Sequence, residues 1–163
     1  MATNSGVFNQ KLIEISSTFY PTFLPLEIDR PPIIMPHKPL SNLYNKRLGQ
    51  LGEELAKRYL QKLGYALIKS NYRLRNGQID LICRNAQNQL IFIEVKTRAD
   101  ESPEMRLSFG QARAIQRTAR HFLGNYHSPV PSWQFDLIWI HLFWTGQGKA
   151  TAKIKHLKNI FEK

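Results

Sequence analysis

The run GQIDLICRNAQNQLIFIEVKTR, Gly77 to Arg98, constrains the fold more than any other part of the chain. Two apolar stretches of strand length flank the polar NAQNQ, which predicts a hairpin of strands over Gln78–Arg84 and Leu90–Thr97. Side chains alternate faces along a strand. Ile79, Leu81 and Cys83 are therefore expected on one face of the first strand, with Gln78, Asp80 and Ile82 on the other. On the second strand Ile91, Ile93, Val95 and Thr97 take one face, and Phe92, Glu94 and Lys96 take the other. A hairpin can then bring Asp80 and Glu94 to the same face, with Lys96 two residues beyond Glu94. Charges inside apolar runs are costly to bury. Two carboxylates about 4 Å apart repel by roughly 4 kcal/mol at an effective dielectric of about 20. A shared proton, a nearby lysine or a divalent cation would each offset that. The plain alternative is a structural ion pair at a sheet edge.

The rest of the chain sorts into elements around this hairpin. Leu48, Leu51, Leu55, Tyr59 and Leu63 recur at helical spacing over residues 45–64, and Gly64 suits a C-terminal stop. YALIKSNYR (65–73) reads as a strand turning at RNG. SFGQARAIQRTARHFLG (108–124) reads as a second helix, WQFDLIWIHLF (133–143) as a long strand, and AKIKHLKNI (152–160) as an edge strand or terminal segment. The order α-β-β-β-α-β-β predicts an α/β fold, a central mixed β-sheet flanked by helices. Residues 1–44 differ. Six of the nine prolines fall there, and PPIIMPHKP is incompatible with a helix or a central strand. They read as a Pro-rich, loosely ordered arm, with a short ordered piece expected around NQKLIEIS (9–16), ahead of one domain over 45–163.

Charge points to a polyanion. The net charge is +11, and residues 1–45 balance three basic against three acidic side chains, so the whole excess lies in 46–163. The single cysteine, Cys83, excludes an internal disulfide and a cysteine-based zinc cage, and cytoplasmic placement is the expectation. No apolar run reaches the ~18 residues of a membrane span, so no membrane partner is expected. The five histidines lack metal-ligand spacing, and no P-loop, G-x-G-x-x-G or G-x-S-x-G is present. Trp133, Trp139 and Trp144 suit the core and the sheet surface. Asp136, inside an apolar strand, suits a structural hydrogen-bonding role.

Oxygen ligands at the density of Asp80 and Glu94 suit Mg²⁺, which takes one or two carboxylates, keeps several waters and engages phosphates. A lysine beside such an ion can hold or deprotonate the attacking water. In the second helix Arg113, Arg117 and Arg120 cluster opposite the apolar side formed by Ala112, Ile115, Ala119 and Phe122, a stripe suited to sugar–phosphate contacts or to plain solvation. Arg106 joins them if the helix reaches back that far. Arg73, Arg75 and Arg98 add basic surface near the hairpin.

GxxD (Gly77–Asp80) followed by IEVKTR (Ile93–Arg98) resembles the D…(D/E)-x-K signature of the restriction-endonuclease-like superfamily. More narrowly, GEELAKRYLQKLGY (52–65), NYRLRNGQIDLI (71–82), LIFIEVKTR (90–98), the following helix and FDLIWI resemble the YraN-like uncharacterised protein family, related to Holliday junction resolvases. The likeness covers about residues 46–161. It implies a restriction-endonuclease-like sheet in which Asp80, Glu94 and the Val95 backbone carbonyl ligate Mg²⁺ or Mn²⁺ and Lys96 orients the water. It also implies a first-helix acid at the site, with Glu54 matching better than Glu53. Two positions depart from the family pattern: Gln78 replaces a usual Glu, and Gln111 a usual Lys. Gln78 leaves one negative charge missing beside the proposed site, Gln111 can still hydrogen-bond a phosphate or a metal-bound water, and both become accessory candidates. The resulting expectation is a metal-dependent endonuclease acting on DNA in preference to RNA, on branched or damaged substrates in repair or recombination. Cutting both strands of a junction would favour a homodimer. The alternatives are a catalytically weak nucleic-acid-binding module on the same fold, and a protein-interaction domain whose charges are structural.

Overall fold

The computed structural model describes residues 22–24, 42–99, 107–129, 132–144 and 150–161. Its elements are β1 (Thr22–Leu24), α1 (Asn42–Lys62), β2 (Ala66–Leu74), β3 (Gly77–Arg84), β4 (Leu90–Arg98), α2 (Phe109–Gly124), β5 (Trp133–Trp144) and β6 (Ala150–Leu157). From α1 onward the order is the predicted α-β-β-β-α-β-β. The sheet runs β1-β6-β5-β4-β3-β2, antiparallel except for the parallel pair β4–β5. The segment expected to be a loose arm thus contributes β1, three residues that pair with β6. β6 is accordingly not the edge strand its sequence suggested. The ordered piece expected at residues 9–16, and Arg106, lie outside the described residues.

Both helices end and begin as their sequences dictate. Gly64 has φ +80, and Tyr65 N–H donates to the Leu60 carbonyl at 3.0 Å while Gly64 N–H donates to Gln61 at 3.0 Å. This left-handed closure satisfies carbonyls that α1 would otherwise orphan, and glycine adopts it without a Cβ penalty. At the start of α2, Ser108 Oγ accepts from Gln111 N–H and the Gln111 side chain accepts from Ser108 N–H, a reciprocal cap.

Two cores sandwich the sheet. α1 buries Leu55, Ala56, Tyr59 and Leu60 against Leu81, Ile93, Ile138 and Ile140, among others. α2 buries Ile115 and Ala119 against Ile82, Phe92, Phe135 and Leu137. Each fully buried aliphatic side chain contributes about 1.5–3 kcal/mol of transfer free energy. No helix among the described residues is long and apolar enough to cross a membrane.

One expectation of strict alternation fails, and it fails at the site. Leu81 and Cys83 face α1, but Ile79 packs under α2 with Ile82. The regular pleat is broken between Ile79 and Leu81. Opposite that point, β2 carries Asn71 at φ 52, a left-handed residue within a strand, and neither Asn71 nor Asp80 has a Cα partner in the β2–β3 ladder. Such an irregularity re-aims side chains locally.

Candidate functional site

β3 and β4 pair from Arg84↔Leu90 to Leu81↔Ile93 and then separate, although both strands continue. Asp80 and Glu94 are the first residues past this fork. β4 stays zipped to β5 through Arg98, so it is β3 that departs. The fork opens into a cleft of about 340 Å³ whose lining includes Glu53, Gln78, Asp80, Glu94, Val95 and Lys96. Gly49 from α1 and Gln111, Ala114 and Ile115 from α2 complete it, so both helices reach the same opening.

Asp80 is buried, and both its oxygens are held. Val95 N–H donates to Oδ2 at 2.8 Å, and Gln78 Nε2 donates to Oδ1 at 2.8 Å. Val95 N–H, left without a strand partner by the fork, is thereby satisfied. Burial pushes the Asp80 carboxyl up from 3.8 to about 6, with the nearby Glu94 and Glu53 charges adding to the rise and the two hydrogen bonds opposing it. Lys96 Nζ lies 2.7 Å from Glu94 Oε1, with both side chains largely shielded from solvent. Asp80, Glu94 and Lys96 line this one cleft, and the Glu94 charge acts on the Asp80 carboxyl.

Glu54 is not part of it. Its carboxylate is half-exposed and paired with Lys57 at 3.7 Å and Arg58 at 3.5 Å along α1. Glu53 lines the cleft instead. The reason is helix rotation: Gly49 and Glu53 are four apart and share a face, while Glu54 turns about 100° further round. That rotation is fixed by Gly52, where any Cβ would overlap the Thr97 side chain on β4, so α1 lies unusually close to the sheet there. The contact leaves Thr97 Oγ1 buried without a hydrogen-bond partner.

Asn71, which the sequence reading passed over, ties these groups together. Its Nδ2 donates to Glu53 Oε2 at 2.7 Å, and its Oδ1 accepts from Gln78 Nε2 at 3.0 Å. A chain of hydrogen bonds therefore runs Glu53–Asn71–Gln78–Asp80–Val95. The available signal was an asparagine in mid-strand, the residue besides glycine that best tolerates positive φ. Gln78 is thus the donor that clamps Asp80. Gln111 lines the cleft while its side-chain oxygen serves the α2 cap.

The nucleic-acid candidates lie around this opening and outside it. Arg73 is exposed, 3.5 Å from Asn71 Oδ1. Arg75 and Arg98 are exposed at strand ends, and Arg113, Arg117 and Arg120 are exposed on α2, with Arg113 stacked on Phe109. Asp136 has the structural role expected of it: buried, it accepts from Gln134 Nε2, Asn159 N–H and His156 Nε2 at 2.7, 2.9 and 2.8 Å. Burial pushes the Cys83 thiol up to about 12, which keeps it protonated.

Among the described residues no group of three or more His, Cys, Asp or Glu side chains is arranged to cage a metal. Two carboxylates plus a backbone carbonyl nonetheless fit an ion that keeps most of its waters, as Mg²⁺ does. The raised Asp80 carboxyl, crowded by Glu94 and Glu53, is the feature a divalent cation would relieve.

Residues 52–140 match the family described as uncharacterised protein family UPF0102. Similar proteins include UPF0102 proteins of Alkaliphilus oremlandii, 32% identical over 72% of this chain and 99% of the relative, and of Syntrophomonas wolfei, 35% identical over 72% and 99%. A UPF0102 protein of Chloroflexus aurantiacus is 35% identical over 57% of this chain and 78% of its own length.

Proposed function

The chain belongs to the uncharacterised protein family UPF0102, and we propose that it is a metal-dependent phosphodiester hydrolase, an endonuclease acting on DNA. The observation that carries this reading is the buried Asp80 carboxylate beside Glu94 at a strand fork, with Lys96 Nζ 2.7 Å from Glu94. Asp80, Glu94 and the Val95 carbonyl would hold Mg²⁺ or Mn²⁺. When bound, the ion supplies a lowered pKa to water and charge neutralisation at phosphorus oxygens.

The chain's own groups have separable tasks. Gln78 and Val95 N–H fix the orientation of Asp80, so its geometry does not have to be organised as substrate arrives. Lys96 has three donors, of which Glu94 uses one. The others can hold the attacking water and a phosphoryl oxygen. Glu53, placed by Asn71, can accept a hydrogen bond from water at the cleft. Branched or damaged DNA is the substrate proposed, with the exposed Arg73 beside Asn71 suited to its backbone.

The test is cleavage of labelled branched, single-stranded and duplex DNA with Mg²⁺ or Mn²⁺ and with EDTA. Wild-type protein should cut only with metal. Asp80→Ala and Lys96→Ala should lose on the order of 10²–10⁴-fold in rate with circular dichroism unchanged. Cleavage persisting in both variants sinks the proposed site. The lack of a three-side-chain cage among the described residues favours a second reading, a nucleic-acid-binding module with little or no activity. It predicts salt-dependent DNA binding without metal-dependent cutting.

A further inference from the structure

Phe109, the first residue of α2, is the most exposed large apolar side chain among the described residues, at 63%. The other exposed aromatics rest on rings: Trp133 on Phe92 and Phe135, and Phe143 on His141. Phe109 meets no ring among the described residues. Its contact is a cation instead, the Arg113 guanidinium, 4.4 Å from the ring centroid. Nor does packing ask for an aromatic here. α2 buries Ala112, Ile115, Thr118 and Ala119, and Phe109 stands off that face. Arg113 and Arg120, four and eleven residues further on, share its side of the helix.

The surroundings of the ring suit one kind of ligand. Arg113 covers part of the ring and steadies it, while most of the side chain stays open to solvent. At the neighbouring Gly110 an added Cβ would meet only Ser108 Oγ, at 4.0 Å, so nothing crowds the backbone beside the ring. α2 carries no acid, and Arg117 and Arg120 are exposed and unpaired among the described residues. Gln111, Ala114 and Ile115, from the first two turns of the same helix, line the cleft. Ring and cleft are thus separated by one helix diameter, about 10–12 Å. An aromatic ring among arginines is the arrangement on which a base of a single strand stacks while its phosphates pair. In a duplex each base is already stacked on its neighbours, so such a ring favours unpaired bases.

We propose that Phe109 is a stacking platform for an unpaired base of DNA beside the cleft, and that it makes the protein prefer unpaired strands to continuous duplex. The choice of DNA rests on the proposed function, but the binding needs neither metal nor cleavage.

The experiment is fluorescence anisotropy in EDTA, with a labelled single strand, a blunt duplex of the same length and a single strand of abasic sites. The variants are Phe109→Ala, Phe109→Trp, which keeps an aromatic face, and Leu63→Ala, an exposed apolar control at the end of α1. Phe109→Ala should weaken single-strand binding by roughly 5- to 150-fold, the loss of one stacked base. Its duplex affinity should not change, and nor should its slope of log K against log salt, because stacking releases no counterions. Phe109→Trp and the control should bind as the wild type does. The wild type should bind the abasic strand more weakly than the ordinary one, and the gap should narrow in Phe109→Ala. Unchanged single-strand affinity in Phe109→Ala, or an equal loss on duplex, overturns the proposal. So does a wild type that binds the abasic strand as tightly as the ordinary one, an outcome independent of how any variant folds. Loss of the single-strand preference in Phe109→Ala, without metal-dependent cutting by the wild type, would remove the hydrolase and leave the platform. Metal-dependent cutting by the wild type, with the preference intact in Phe109→Ala, would do the reverse.

Discussion

Asp80 Oδ2 accepts the Val95 N–H at 2.8 Å, so a side chain takes the place of a strand where β3 leaves β4. The same residue that would hold a cation also closes the fork. Hydrogen bonds to a charged group contribute about 1.5–3 kcal/mol. The Val95 amide should therefore be protected from hydrogen exchange in the wild type. In Asp80→Ala its exchange should accelerate by about 10- to 100-fold, while Ile93, inside the paired region, stays protected. Equal protection in both proteins would mean that some other group holds Val95.

Glu53 and Glu54 separate cleanly by their partners. Glu53→Gln should weaken Mn²⁺ binding by about 10- to 100-fold, the size of effect seen when groups supporting a metal site are removed. Glu54→Gln removes only exposed contacts to Lys57 and Arg58, should change stability by under about 1 kcal/mol, and should leave Mn²⁺ affinity alone. Calorimetric titration of the two variants decides it, and the reverse ranking would return the role to Glu54.

Asp80 also sets a pH dependence. Its carboxyl titrates at about 6 in the fold against 3.8 ordinarily, so the folded state binds this proton more tightly than the unfolded chain. The group therefore favours the fold most below about pH 4. That contribution is lost as pH rises through about 6, and amounts to roughly 3 kcal/mol at most. In EDTA, the stability of Asp80→Asn should gain on the wild type across that window and level off above it. Metal should oppose the proton, so Mn²⁺ affinity should fall as pH drops below about 6. A flat difference profile in denaturant melts would contradict the placement of Asp80.

Gly52 sets the rotation of α1. Gly52→Ala forces its Cβ into Thr97 and should cost about 1–3 kcal/mol, the usual range for overpacking. Thr97→Ala removes the nearest atom, Oγ1, and should recover part of that loss in the double variant. Thermal or denaturant melts of the four-protein cycle measure the coupling, and strictly additive losses would show that the two residues do not meet.

The hairpin and the shared face of Glu94 and Lys96 on β4 were legible because local alternation and turn chemistry decide them. The choice between Glu53 and Glu54 was not. It depends on how closely α1 approaches β4, and that is set by a glycine–threonine contact 45 residues apart in sequence. Asn71 was hidden for a related reason: a left-handed residue inside an apolar–polar alternation leaves the pattern intact while breaking the ladder. The misplacement of Ile79 follows from the same break. Gln78 read as a lost charge, whereas its amide is a donor to both Asp80 and Asn71.

The fork as a divalent-metal site is tested most directly by crystals grown with Mn²⁺, using anomalous scattering at the manganese edge. The predicted result is a single strong peak in the cleft, bonded to Asp80, Glu94 and the Val95 carbonyl, and lost in Asp80→Ala crystals. Well-ordered Asp80 and Glu94 with no anomalous peak between them, at Mn²⁺ concentrations far above those of the cell, would contradict it.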